Sequence, residues 1–252
     1  MTTAKFLLVT LLLAGLTWKY GLDAINTRLV TALPIKYVRT EGVFQYLNKD
    51  EIKTVLEPLV KTGFFDADVH TIHTAVSTLP WVESVTVKRV WPDAIDIKVR
   101  ERKPFVRWGE KSLISDKGVV FTPGSVEPFD DLIAVTGPEQ QHVKVLEIMK
   151  GVKTALEDQS LELVEFTINN RWAWKFKLAN GLEVILGRSE QLKKLQRFLK
   201  TLTVLQQEQI DAMEVVDLRY PNGYAVSWKP GTPEFDWKAM ATTPNAQKSD
   251  TE

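Results

Sequence analysis

The 252-residue chain contains no cysteine, which removes disulfides, thiolate metal sites and a cysteine nucleophile in one step. It carries no net charge either: 32 basic residues balance 32 acidic ones. No overall positive field favours a polyphosphate partner, and no stripe of Lys and Arg with interleaved aromatics marks a nucleic-acid surface. The short signatures of common chemistries are missing as well. Ser-x-x-Lys, Gly-x-Ser-x-Gly, the phosphate-cradling Gly-x-x-x-x-Gly-Lys and His-Glu-x-x-His do not occur. His70 and His73 stand one helical turn apart, but no third ligand can be assigned to them. "WPD" at 91–93 resembles a phosphatase loop without the thiolate that such chemistry needs, and it reads as a turn. These absences disfavour an enzyme, and no cofactor is expected.

Long apolar runs are scarce, with one exception. "FLLVTLLLAGLTWKYGL", residues 6–22, is apolar apart from its threonines, Trp18, Lys19 and Tyr20. As a helix it measures about 25 Å, slightly short of the hydrocarbon core, yet Lys19 can snorkel while Trp18 and Tyr20 suit the interface. We expect a single-span anchor here, after a short N-terminus at 1–5. The stretch 6–16 also has the length of a signal-peptide core, but no persuasive small-x-small cleavage site follows it. With either reading, the bulk of the chain is exported.

What the chain has in quantity is apolar side chains, 44% of the total, enough to bury real cores. After a linker at 23–34, "IKYVRTEGVF" reads as a strand. "NKDEIKTVLEPLV" begins a helix capped by Asn48, with Glu51 at the capping-box position and Ile52, Val55, Leu56 and Leu59 on one face. "DADVHTIHTAVSTLP" gives a second helix closed by Pro80. Two alternating strands follow around "WPD". The order strand, helix, helix, strand, strand within residues 35–102 is a compact α+β unit.

From residue 103 the rhythm changes to short strands, "FVRWG", "SLISD", "VVFT" and "DLIAVTG". A helix is predicted over 139–157 with Val143, Leu146, Met149, Val152 and Leu156 inward. Strands "LELVEFTIN", "WAWKFKLA" and "LEVILG" come next, then a helix over 189–205 presenting Leu192, Leu195, Phe198, Leu199, Leu202 and Leu205. This predicts a second, larger and mainly antiparallel β domain with flanking helices over 103–229. The polar residues 230–252 read as a disordered tail. The last structured stretch, "DLRYPNGYAVSW" at 217–228, reads as a hairpin of strands 217–220 and 224–228. Its final strand alternates Tyr224, Val226 and Trp228 with Ala225, Ser227 and Lys229, and no strand follows it. Strand addition by a partner is therefore a physical option, against pairing only within its own domain. Arg171, just before the Trp172 and Trp174 strand, is a candidate for a charge-assisted hydrogen bond to an acidic partner residue.

Three segments resemble the bacterial cell-division family FtsQ, also called DivIB: "LPWVESVTVKRVWPDAIDIKVRERKPFVRW" at 79–108, "LISDKGVVF" at 113–121 and "DLRYPNGYAVSW" at 217–228. The resemblance runs from the anchor to about Lys229. It implies a POTRA domain at 35–102 and a β domain after it. It implies a single-pass inner-membrane protein at the division septum, its bulk in the periplasm, acting as a non-enzymatic scaffold. The implied partners are FtsB, in complex with FtsL, and FtsK by way of the POTRA domain. The implied FtsB contact is the last strand, carried onto Tyr220, Gly223 and Trp228, with Tyr224, Val226 and Ser227 alongside. Two other readings compete. A POTRA-bearing secretion or outer-membrane assembly factor would need tandem POTRA units or a C-terminal barrel. A membrane-anchored peptidoglycan-acting enzyme would need a nucleophile or metal motif.

Overall fold

The structure is a computed structural model that describes residues 34–61, 63–221 and 223–232. The anchor at 6–22, the N-terminus before it, the tail beyond 232 and Asn222 of the terminal turn lie outside the described residues. No helix among the described residues is long and apolar enough to cross a membrane. The chain divides into two compact units. One runs up to Phe105 and also takes Ser112–Ser125; the other holds Val106–Lys111 and the chain from Val126 onward.

In the first unit, β1 (Tyr37–Glu41) is followed by α1 (Lys49–Val60), α2 (Val69–Ser77), β2 (Val82–Val90) and β3 (Ala94–Glu101). The strands form a sheet in the order β1-β3-β2, with β1 parallel and β2 antiparallel to β3. Asn48 caps α1 by accepting from the Asp50 amide at 2.9 Å, and Asp68 caps α2 by accepting from His70 and Thr71. Such caps satisfy amides that the first helical turn leaves without partners. Ile52, Leu56, Ile72 and Val76 from the helices, with Val85, Ile95, Ile97 and Val99 from the strands, are buried.

The first unit does not end where its sheet ends. The hairpin β5 (Ser112–Ser115) and β6 (Val120–Phe121), antiparallel to each other, returns to it. Phe121 meets Trp81 edge-on at 5.1 Å between ring centroids, and the Arg102 guanidinium sits 5.2 Å from the Phe121 ring. Lys117, at the hairpin tip, pairs with Glu83.

The second unit is built on β4 (Pro104–Trp108), within which the chain passes from one unit to the other, then β7 (Ala134–Thr136), α3 (His142–Glu157), β8 (Leu163–Ile168), β9 (Trp174–Leu178), β10 (Glu183–Gly187), α4 (Gln191–Leu202), α5 (Gln207–Ala212), β11 (Met213–Asp217) and β12 (Ala225–Trp228). Within this unit the strands of the sheet run in the order β12-β11-β10-β9-β8-β7-β4.

The expected mainly antiparallel sheet is in fact mixed. The pairs β8/β9, β9/β10 and β11/β12 are antiparallel, whereas β4/β7, β7/β8 and β10/β11 are parallel. The helices explain two of the parallel pairs: α3 carries the chain from β7 to β8, and α4 with α5 carries it from β10 to β11, so in each pair the next strand starts at the same end as the last. Two inner faces also shift from the expected ones. In α3, Val145 is buried and Val143 exposed; in α4, Leu192 is exposed while Leu195, Phe198 and Leu202 are buried beside Lys194. The helix expected over 189–205 stops at Leu202, and α5 follows as a separate short helix opened by a Gln206–Gln209 capping box.

Candidate functional site

β12 is the last strand of the sheet order, and only β11 pairs with it among the described residues. The hairpin is longer than "DLRYPNGYAVSW" suggests, because its first strand is Met213–Asp217 and not 217–220. Two local contacts stop β11 at Asp217. The Leu218 amide turns to the Ile185 carbonyl at 2.8 Å, and the Arg219 side chain folds back onto Asp217. The connection therefore spans 218–224.

The register assigns directions to the main chain. Lys229 donates its amide to the Ala212 carbonyl at 2.9 Å, so Lys229 faces β11. Because successive residues of a strand point their N–H and C=O groups to opposite sides, Ser227 and Ala225 face β11 too. Val226 faces the other way, toward the edge that no described strand covers. The Leu218 contact gives an independent check: Leu218 and Val216 face β10, which leaves Asp217 and Val215 to face β12, opposite Ala225 and Ser227.

Side chains on β12 alternate as expected, Val226 and Trp228 half-buried and Ala225 and Ser227 exposed. Tyr224 packs edge-on against the buried Phe198 of α4, ring centroids 6.2 Å apart, while Tyr220 is 54% exposed. Gly223 is half-buried and its carbonyl accepts from Arg197.

Several residues that hold this site escaped the sequence reading. Arg197 on α4 donates to the Pro221 carbonyl at 2.7 Å, the Gly223 carbonyl at 3.1 Å and the Tyr220 carbonyl at 3.3 Å. It thereby fixes the connection that delivers the chain into β12. Lys194, only 6% exposed, reaches the Arg219 carbonyl at 3.3 Å and the Leu186 carbonyl at 3.5 Å. Asp217 accepts from Arg219 through Nε at 2.9 Å and a terminal guanidinium nitrogen at 2.6 Å. That fork holds the Asp217 carboxyl below its ordinary range and raises Arg219, the Arg219 hydrogen bond being the largest cause for Asp217. The signal available in sequence was the spacing: Lys194 and Arg197 share the apolar face of α4 with Phe198, which is unusual for cations.

Arg171 lies in a tight turn. Asn169 Oδ1 accepts from the amides of Arg171 at 2.9 Å and Ala173 at 3.0 Å, and Trp172 takes a positive φ of 59°. The side chain opens onto a cleft of about 410 Å3 lined also by Arg188, Lys194 and Arg219. The structure thus sets Arg171 beside the 218–224 connection, in the turn between β8 and β9, with β10 and β11 lying between that turn and β12.

Two family models match this chain: "POTRA domain, FtsQ-type" over residues 33–102 and "Cell division protein FtsQ/DivIB, C-terminal" over residues 106–219. The cell division protein FtsQ of Methylomonas methanica is 50% identical over 237 residues, covering 94% of this chain and 95% of that protein. The chain belongs to the FtsQ/DivIB family of cell division proteins. Its likeness extends to more distant FtsQ proteins, 32% identical in Alcanivorax borkumensis over 78% of this chain and 76% of that protein, and 31% in Xanthomonas campestris over 77% and 69%. The POTRA match agrees with the strand, helix, helix, strand, strand order of the first unit. The C-terminal FtsQ/DivIB model stops at Arg219, so β12 lies beyond it.

Proposed function

We propose that this FtsQ-family chain is a non-enzymatic division scaffold, held in the inner membrane by residues 6–22 with both units in the periplasm. It binds FtsB, in complex with FtsL, by adding a partner strand to the outer edge of β12. The POTRA unit serves localisation and the FtsK contact. The observation that carries this reading is the position of β12 at the end of the sheet, with the Val226 N–H and C=O directed away from β11. An extended segment laid along that edge gains main-chain hydrogen bonds. Tyr220, Tyr224 and Trp228 then supply the aromatic surface that distinguishes its side chains, and Gly223 the close approach at the turn. Arg171 offers its guanidinium to an acidic partner residue from the same end of the sheet.

Photo-crosslinking in cells tests this, with a probe at the exposed Ser227 and a control probe at the exposed Lys53 on α1. A small single-span coiled-coil protein captured from Ser227 alone is the expected result. A folded, membrane-borne protein that captures nothing from Ser227 would move the binding surface off β12.

A further inference from the structure

The first unit carries its three most exposed aromatic rings at one end. β1 and β3 begin there and β2 ends there, since β1 is parallel and β2 antiparallel to β3. The entering chain is fastened to the β2–β3 turn: the amides of Lys36 and Tyr37 donate to the Asp93 carbonyl at 2.9 and 3.3 Å, and Lys36 Nζ pairs with the Asp93 carboxylate at 3.3 Å. Arg89, near the end of β2, donates to the carbonyls of Ala67 at 2.6 Å and Phe65 at 3.4 Å, which ties the loop before α2 to the same strand end. At this end Trp91 is 76%, Tyr37 60% and Phe65 58% exposed, the three most exposed aromatics among the described residues of the unit. Tyr46 is less exposed, at 37%, and stacks on Trp81, while Phe65 meets the buried Phe64 edge-on at 5.4 Å.

We propose that this end, through Trp91, Tyr37 and Phe65, rests in the interfacial layer of a phospholipid bilayer. The proposal depends on the anchoring of residues 6–22 put forward above. Two observations choose lipid as the occupant. The first is reach: the eleven residues 23–33 between the anchor and Pro34 extend at most about 40 Å, so the end of the unit at which the chain enters stays within that distance of the membrane and can rest on it. The second is chemistry. Trp and Tyr, with an apolar ring and a polar atom, suit the headgroup level, Phe65 adds apolar area, and the half-free ammonium of Lys36 and the side chain of Lys88 suit anionic headgroups. An exposed tryptophan otherwise loses the gain of burying its ring. The contact would fix the tilt of the unit on the membrane in addition to its distance from it.

The full-length protein reconstituted into phosphatidylethanolamine and phosphatidylglycerol vesicles tests this, using lipids brominated near the headgroup as quenchers. The fluorescence of one tryptophan is the difference between the protein and its Trp91→Phe, Trp228→Phe or Trp18→Phe variant. We expect the Trp91 component to be quenched, as the Trp18 component is, while the Trp228 component keeps its intensity. Phe65→Trp, which adds a ring at a second position of the same end, should gain a quenched component and guards against misfolding of Trp91→Phe. If Trp18 is quenched and neither Trp91 nor the ring added at position 65 is, the lipid contact is refuted and the anchor stands. If Trp18 also escapes quenching, the anchor is refuted and the contact with it.

Discussion

Proline substitutions at Val226 and Ser227, adjacent residues of one short strand, should have opposite consequences. The Ser227 amide faces β11 opposite Val215, so Ser227→Pro removes a ladder hydrogen bond and drives the ring toward a β11 carbonyl. The lost bond costs about 1 kcal/mol net, and with the clash the local penalty reaches about 3 kcal/mol. Because β12 is terminal, that loss should appear as local opening of the hairpin and not as global unfolding. Hydrogen exchange reads it directly. Protection of the Val215 and Asp217 amides, which face β12, should fall about 100-fold, at 1.4 kcal/mol per factor of ten, while Val216 and Leu218, which face β10, keep theirs. Val226→Pro removes an amide that faces outward, so the same amides should change by less than about tenfold. It should nevertheless weaken the proposed FtsB binding by about fivefold, the worth of one partner hydrogen bond of about 1 kcal/mol. Equal loss of Val215 and Asp217 protection in both variants would refute the assigned direction of β12. Unchanged FtsB capture by Val226→Pro would refute strand addition at this edge.

Three other outcomes follow from particular contacts. Gly187 has φ +73° and an added Cβ would sit 3.1 Å from Arg219 Cγ; Gly187→Ala should cost about 1–2 kcal/mol in urea unfolding, and no loss would mean the turn relaxes freely. Phe121→Ala should destabilise the first unit by about 3 kcal/mol, since the ring is buried against Trp81, and a melting curve unchanged by it would detach the 112–125 hairpin from that unit. The Asp217 carboxyl is more acidic folded than unfolded, because Arg219 holds its charged form. Its contribution is therefore complete above the ordinary carboxylate range and is lost as pH falls through the lowered folded value. Asp217→Asn should accordingly melt lower than the parent at neutral pH and converge with it in acid; a constant gap at all pH values would remove the ion pair from the account.

The terminal hairpin shows how far sequence reaches. The β-rich stretch after Pro221 and Gly223 is a local fact, and it points to a last strand at 224–228 with its inside–outside alternation, which the structure trims to Ala225–Trp228, whereas the first strand read at 217–220 lies instead at Met213–Asp217. Local facts also carried the POTRA order, since caps at Asn48, the apolar stripes of α1 and α2 and the alternation of β2 and β3 are each set by neighbours a few residues away. The resemblance of residues 79–108 added the family.

Tertiary structure decided what depends on residues far apart in the chain. That β11 starts at Met213 and lies parallel to β10 follows from the path of α4 and α5, and no propensity within 213–217 encodes it. That Lys194 and Arg197 turn inward follows from carbonyls at Leu186, Arg219, Tyr220, Pro221 and Gly223, which only the folded chain brings to α4. The return of Phe121 to Trp81 is of the same kind. Periodicity tells a helix which face is apolar, but the polar groups that can satisfy a buried cation, and the ring that can cover another ring, come from the other side of the fold.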